Sequence, residues 1–220
     1  MPLPTWDNLP EDKRERVLGA AAAEFGKCGF SSGSLNTIAR EAGIAKGSLF
    51  QYFGDKLDLY AHVCDVISER VRVAMERRLI ELDPTRPFFD FVADALIAWV
   101  DWFDEHPVER GVTAATNLEM DADARTAVRT VAHAHYLDAL RPLVDAAVER
   151  GDIKPGADVD ALMAYLLFLL PHLALAQHVE GLDPVLALHA SSTTARHAAV
   201  NRLVDVLRHA YATSDVEATR

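Results

Sequence analysis

Wherever apolar residues cluster in this chain they recur at helical spacing, and that regularity removes most folds from consideration. Leu35, Ile38, Ala39 and Ala42 fall at i, i+3, i+4 and i+7, one stripe of a 3.6-residue helix. Val17, Leu18, Ala21, Ala22 and Phe25 make a similar stripe upstream. Nothing alternates with period two for long enough to form a convincing strand. Prolines and glycines lie mostly between the periodic segments, where they end helices. The expected class is all-α, with about nine helices.

The breakers set the boundaries. Helices are predicted over 10–27, 35–42, 46–53, 55–82, 86–105, a short segment reaching 117, 122–150, 159–180 and 193–212. Pro10 suits a first helical turn, and Glu11 and Asp12 favour the positive end of the helix dipole. Gly29, Gly43 and Gly151 are natural C-terminal stops, and Ser34 is a natural N-cap. Pro171 falls inside the eighth helix and is expected to kink it. The first eight residues and the tail from about Thr213 read as disordered.

Charge narrows the function. The 220 residues carry a formal net charge of −11. Residues 1–60 hold seven Lys/Arg against eight Asp/Glu, so the acidity belongs to the rest of the chain. A near-neutral N-terminal block can still bind phosphates through a few placed cations and backbone N–H groups. There is no apolar run or basic region at the N-terminus, and the apolar stretch 161–176 is short for a bilayer, so a cytoplasmic protein without a membrane partner is expected. Cys28 and Cys64 lie far apart in helical patterns and read as small buried residues. His133 and His135 are two apart on a helix and point in different directions. No metal site or cofactor is expected. No nucleophile–base pair or phosphate loop is evident, so the chain does not read as an enzyme.

Residues 34–59 carry the functional signal. Two short helical patterns are joined by a tight turn at Gly43, with small Ala39 and Ala42 where the helices must pack closely. Ile44 and Leu49 can fill the core between them. The second helix opens with Lys46, Gly47 and Ser48, residues suited to a helix entering the major groove. Gly47 lets the backbone approach the bases and is a poor choice for helix stability alone.

This stretch resembles the DNA-binding domain of the TetR family. The matching residues are Ile38-Ala39, Ala42-Gly43-Ile44, Ala45-Lys46-Gly47-Ser48, Leu49-Phe50, Tyr52-Phe53, Lys56 and Leu59, within a likeness over residues 11–60. The resemblance implies a three-helix, homeodomain-like helix-turn-helix over 10–56 and a helical ligand-binding and dimerisation domain over 57–213. It places Ser34, Asn36, Thr37, Lys46, Gly47, Ser48, Gln51, Tyr52 and Lys56 at double-stranded DNA, with Lys46, Gly47, Ser48 and Gln51 at base edges and Tyr52 and Lys56 at phosphates. Gln51 has the chemistry to read adenine N6/N7, and Lys46 guanine O6/N7. Thr37 reads equally as a solvated surface threonine. Phe50 and Phe53 read as core. One departure is Gln51 itself, since an aromatic or basic residue is common there in the family.

The resemblance also implies a homodimer formed by the eighth and ninth predicted helices, a near-palindromic operator and a small effector. The fifth, seventh and eighth predicted helices are rich enough in aromatics to wall a mostly apolar pocket. Trp99, Phe103, Asn117, Tyr136, Phe168 and His172 are the candidate ligand residues. The expected function is repression relieved by a hydrophobic effector; the alternative is an activator, or a constitutive DNA binder without inducer.

Overall fold

The computed structural model describes residues 2–83 and 85–213. Among them are ten helices: α1 (Pro4–Asp7), α2 (Glu11–Ser32), α3 (Leu35–Glu41), α4 (Lys46–Tyr52), α5 (Lys56–Ile80), α6 (Phe88–Glu105), α7 (Pro107–Leu118), α8 (Ala122–Glu149), α9 (Val159–Ala176) and α10 (Thr193–Tyr211). Nine correspond to the helices expected from periodicity; α1 is new. The only extended pairings among the described residues are isolated bridges, Pro2 with Phe53 and Ile153 with Ala212.

The chain divides into two compact units that interleave in sequence. One comprises residues up to Val71 together with His106–His135; the other comprises Arg72–Glu105 and the chain from Tyr136 onward. The blocks expected from sequence, 10–56 and 57–213, are continuous; the compact units are not. The first unit takes in α7 and the first half of α8 as well as α1–α4.

In the first unit, α2 buries Val17, Leu18, Ala21, Ala22 and Phe25, the stripe read from the sequence. α2 packs on α3, and the Phe25 ring meets that of Tyr60 on α5 at 5.0 Å; Ile38, Ala39, Leu49, Leu59, Tyr60 and Val63 are buried in the same unit. Each Val, Leu, Ile or Phe side chain among them is worth about 1.5–3 kcal/mol when fully buried. Gly29 has φ +69°, a left-handed turn where the sequence led us to expect a stop, but one further helical turn follows to Ser32. Gly26 of α2 crosses Gly111 of α7 at close range: a Cβ on Gly111 would lie 3.1 Å from the Gly26 carbonyl oxygen, so the backbones would have to give by a few tenths of an ångström.

The second unit is built on α6, whose buried face includes Phe88, Phe89, Leu96, Trp99, Val100 and Phe103. α9 and α10 pack on it. Trp99 Nε1 donates to the Leu170 carbonyl at 2.8 Å. Arg208 pairs with Asp90 at 2.7 Å, and His197 with Asp101 at 2.8 Å, tying α10 to α6. α9 ends at Ala176, short of the expected 180, because the next residue turns inward: Gln177 is buried and its Nε2 donates to the Val100 carbonyl at 2.9 Å. α9 runs continuously through Pro171, and α8 through Pro142.

Two segments expected to be disordered are ordered where they are described. Pro4 opens α1, and Trp6 behind it is only 3% exposed, with its ring centroid 4.9 Å from that of Phe53 and 5.6 Å from that of His62. Thr213 donates from its backbone to Asp152 O at 3.2 Å and from Oγ1 to Gly151 O at 2.6 Å. The remainder of that tail, residues 214–220, lies outside the described residues.

Candidate nucleic-acid interface

The turn between α3 and α4 is built by backbone chemistry. Ser34 Oγ accepts from the Thr37 N–H at 3.3 Å and caps α3, as its position suggested. At the other end Gly43 has φ +68°. Its N–H donates to the Arg40 carbonyl at 3.1 Å, and the Ile44 N–H reaches back to the Ala39 carbonyl at 2.9 Å. These two bonds make a Schellman motif, which needs a residue free to adopt positive φ. Ala39 and Ala42 are buried beneath the turn, and Leu49 comes up from α4 to meet them.

α4 is short, and its faces are sharply divided. Leu49 and Tyr52 are buried, as is Phe53 just beyond the helix. Lys46, Gly47, Phe50 and Gln51 are exposed, and Ser48 is half-buried. Positions i, i+1, i+4 and i+5 make one outward surface. A Cβ built on Gly47 meets nothing within 4 Å, so nothing inside the chain requires a glycine there. Asn36 is exposed and Thr37 half-buried at the start of α3.

Two expected side chains are placed differently, and a third has neighbours within the chain. Phe50, read as core, is 48% exposed. The reason is geometric: Leu49, Phe50, Tyr52 and Phe53 are four large apolar residues within five positions, and a helix end cannot turn all of them inward. Tyr52, expected at phosphate, is 5% exposed; its ring lies 6.0 Å from Trp6, and Lys13 Nζ stands 5.7 Å over it. Lys56 is positioned by intramolecular contacts, with Nζ 3.3 Å from the Ser31 carbonyl oxygen and 4.8 Å from the centroid of the Phe30 ring. The N-terminus of α5 already holds an anion, because Asp55 Oδ1 accepts from the Asp58 N–H at 2.8 Å.

Two supports of this surface were not legible in the sequence. The first is the arm formed by α1. The Leu3 N–H donates to the Tyr52 carbonyl at 2.7 Å and Thr5 Oγ1 donates to the Gln51 carbonyl, so the C-terminal end of α4 is held from outside the three-helix core. Trp6, with Pro4 two residues before it, was the available signal. The second is Glu119, just past α7, which is 7% exposed. Its carboxylate accepts from the Phe30 N–H at 2.9 Å, Ser31 Oγ at 3.1 Å and the Asp121 N–H at 2.8 Å. Burial opposes its charge, but the N–H groups of Asp121 and Phe30 and the Ser31 hydroxyl outweigh that and hold the carboxyl below its ordinary value of 4.5. Glu119 thereby ties α7 to the last turn of α2, beside Lys56.

The candidate ligand residues do not all come together. Trp99 stacks near Phe103 at 4.7 Å and meets Tyr136 edge-on at 5.8 Å, within the second unit. Phe168 is 70% exposed on α9 and His172 is half-buried. Asn117 falls in the first unit, its Nδ2 donating to the Thr113 carbonyl at 2.9 Å. His135 lies with Nε2 3.0 Å from Asp65 and Nδ1 3.4 Å from Glu69, pairing α8 with α5.

Comparison with known proteins agrees with this geometry. Residues 17–63 match the family model described as bacterial regulatory proteins, tetR family. The HTH-type transcriptional repressor AcnR of Corynebacterium glutamicum is 24% identical over 192 residues, covering 81% of this chain and 91% of that protein. The HTH-type transcriptional activator FasR of Mycolicibacterium smegmatis is 32% identical over 130 residues, covering 53% of this chain and 59% of that one. In fold, the chain is similar to the transcriptional regulator FadR from Bacillus subtilis, solved in complex with stearoyl-CoA, with a TM-score of 0.67 at 18% identity over 86% of this chain and 96% of that one. An all-α chain with a Gly43-centred helix-turn-helix, matched across residues 17–63, is similar over most of its length to transcriptional regulators of the TetR family.

Proposed function

We propose that this chain is a cytoplasmic, ligand-responsive repressor that grips a near-palindromic operator as a homodimer and is released by a small hydrophobic effector. The observation that carries the reading is the outward face of α4, where Lys46, Gly47 and Gln51 are exposed and Gly47 has no intramolecular reason to be glycine. Lys46 and Gln51 supply hydrogen bonds suited to guanine and adenine edges. Ser34, Asn36, Thr37, Ser48 and Lys56 flank them as backbone contacts. Tyr52 serves chiefly by packing under the helix.

A second copy of the chain is the partner for α9 and α10. Tyr165, Phe168 and Val206 are large, apolar and more than half exposed on those helices. An isologous pairing places two α4 helices on one face of the duplex, roughly 34–36 Å apart or somewhat more. The effector reading rests on the ring cluster of Trp99, Phe103 and Tyr136, and on the acyl-CoA held by the FadR of similar fold. α6 continues through His106-Pro107 into α7, and α7 holds the end of α2 through Glu119. An effector that favours one position of α6 therefore has a route along the chain to the DNA-binding helices, with a coupling of about 1–3 kcal/mol typical of such switches.

AcnR is a repressor and FasR an activator, so the sign of regulation follows from where the operator lies relative to the promoter. The test is selection of duplexes from a random pool by the full-length protein, then mobility shifts with and without long-chain acyl-CoA. A palindromic consensus bound by a dimer and released by an acyl ligand supports the reading. Failure to enrich any sequence overturns the DNA-binding part; an enriched palindrome indifferent to a broad apolar library overturns the effector part.

A further inference from the structure

We propose that Trp6 is a positioning residue for DNA recognition: it anchors the α1 arm against the C-terminal end of α4 and thereby fixes the place of Gln51, without touching DNA itself. The inference rests on the DNA-binding reading above. It assigns a function to a segment that lies upstream of residues 17–63, the stretch that matches the family model.

The last carbonyls of a helix have no partner within it. In the seven-residue α4 the Phe53 N–H donates to the Leu49 carbonyl at 2.8 Å, and the Gln51 and Tyr52 carbonyls lie beyond that bond. The arm supplies what the helix lacks: Thr5 Oγ1 donates to the Gln51 carbonyl, and the Leu3 N–H donates to the Tyr52 carbonyl at 2.7 Å. The end of so short a helix frays unless something outside it holds it. Gln51, which has the chemistry of an adenine reader, sits in that final turn, whereas Lys46 opens the helix at the other end. The arm therefore acts on one end of the reading face and not on the other.

The arm does not order itself. α1 is four residues long, far below the length at which a helix stands alone in water. Pro4, Thr5 and Asp7 are exposed, so the burial within α1 comes from Trp6, which is 3% exposed. Its ring lies 6.0 Å from that of Tyr52 and 4.9 Å from that of Phe53, the two residues at which α4 ends. The indole is thus seated beside the backbone whose carbonyls the arm bonds, and its burial leaves it no edge to offer a groove.

The test is a set of double-mutant cycles read by fluorescence anisotropy on the operator selected above, with the folding of each variant checked by circular dichroism and urea denaturation. Trp6→Ala is expected to lose about tenfold in affinity for the operator, the scale of one lost base contact, while its affinity for a duplex of unrelated sequence stays within about twofold of wild type. That loss should couple to Gln51→Ala, so that the double variant binds about as well as the weaker single one, and should multiply with the loss from Lys46→Ala. Trp6→Phe, which keeps a ring against Tyr52 and Phe53, should retain most of the affinity. Thr5→Val leaves the anchor in place and removes only the hydroxyl bond; it should lose about threefold and couple to Gln51→Ala in the same way, and it decides the matter if Trp6→Ala fails to fold. A loss shared equally by operator and unrelated duplex overturns the proposal, since it marks the arm as a phosphate contact. A loss that multiplies with Gln51→Ala, or that couples equally to Lys46→Ala, overturns it as well, since Trp6 then supports the domain in general. Gln51→Ala binding as wild type leaves the arm nothing to position and has the same force. If no sequence is selected from the random pool, the DNA-binding reading fails and this inference with it; a selected operator that Trp6→Ala and Thr5→Val bind as wild type does sinks the inference alone.

Discussion

Replacing Gly47 with alanine should make the free protein more stable and the DNA complex weaker, and the opposition of signs makes the experiment diagnostic. Gly47 is the second residue of α4 and its φ is not positive, so alanine enters without backbone strain. The new Cβ meets nothing within 4 Å, so there is no steric cost. Alanine gains about 0.8–1.0 kcal/mol over glycine in a helix interior, and about half that is expected so near the helix start. That corresponds to a rise in Tm of about 1–2 °C for a chain of this size. On DNA the same Cβ stands between the helix backbone and the base edges, and a loss of about tenfold in affinity is expected, within the range of one disrupted base-pair contact. Calorimetry reads the first effect and fluorescence anisotropy on the selected operator reads the second. Gly19→Ala is the control: Gly19 is an exposed glycine within α2, also with open space at its Cβ, so that variant should gain stability and bind DNA as wild type does. A Gly47→Ala variant that binds the operator unchanged refutes the role given to this face; one that is less stable in the free protein refutes the claim that the glycine has no internal purpose.

At the α2–α7 crossing the same substitution should have the opposite effect on stability. Gly111→Ala would set its Cβ 3.1 Å from the Gly26 carbonyl oxygen and 3.2 Å from the Gly26 Cα, so the tight fit should cost about 1–3 kcal/mol, measured by urea denaturation. Glu119→Gln leaves one acceptor oxygen for three donors and should cost about 1.5–3 kcal/mol at neutral pH, a loss that chemical denaturation would register. Acid should act in two steps. Burial lowers His62 from its ordinary 6.5, so the unfolded chain binds more protons there and stability falls as pH drops below about 6.5 toward the lowered folded value. Glu119 sits below its ordinary 4.5, so its contribution holds above that pH and is lost on further acidification. Thermal melts between pH 8 and 3 should show both limbs, with His62→Gln flattening the first and Glu119→Gln the second; a single limb unaffected by either variant would contradict these assignments.

The helix-turn-helix was readable because its determinants are local. Ser34 caps three residues ahead, Gly43 closes a Schellman turn on carbonyls three and five residues back, and the apolar stripe of α2 repeats within one helix. What was misread depended on partners distant in sequence. Trp6 has no periodic neighbours, and only the rings of Tyr52 and Phe53 explain why a four-residue helix forms around it. Phe50 and Tyr52 are two residues apart in an apolar run, and the packing of α1 and α2 decides which of them turns inward. Glu119 is one acidic residue in an acidic chain; its role depends on the Ser31 hydroxyl and the Phe30 N–H, 88 and 89 residues away.

The assignment of α7 to the first unit bears on the effector coupling proposed above. A sequence reading that ends the DNA-binding block at residue 56 makes α7 a remote part of a sensor. In the structure α7 is twelve residues, about 18 Å of helix, with the aromatic α6 joined to one end in sequence and the end of α2 held at the other by Glu119. Its crossing with α2 is backbone against backbone at Gly26 and Gly111, with no side chain available to cushion a shift. Packed contacts of that kind change by discrete displacement. Within the first unit, a displacement of α7 would then reach α2 and the turn that carries α4. For that reason Gly111→Ala should disturb both the stability of the DNA-binding unit and its response to an effector, whereas Gly47→Ala should leave that response intact while weakening the contact it controls.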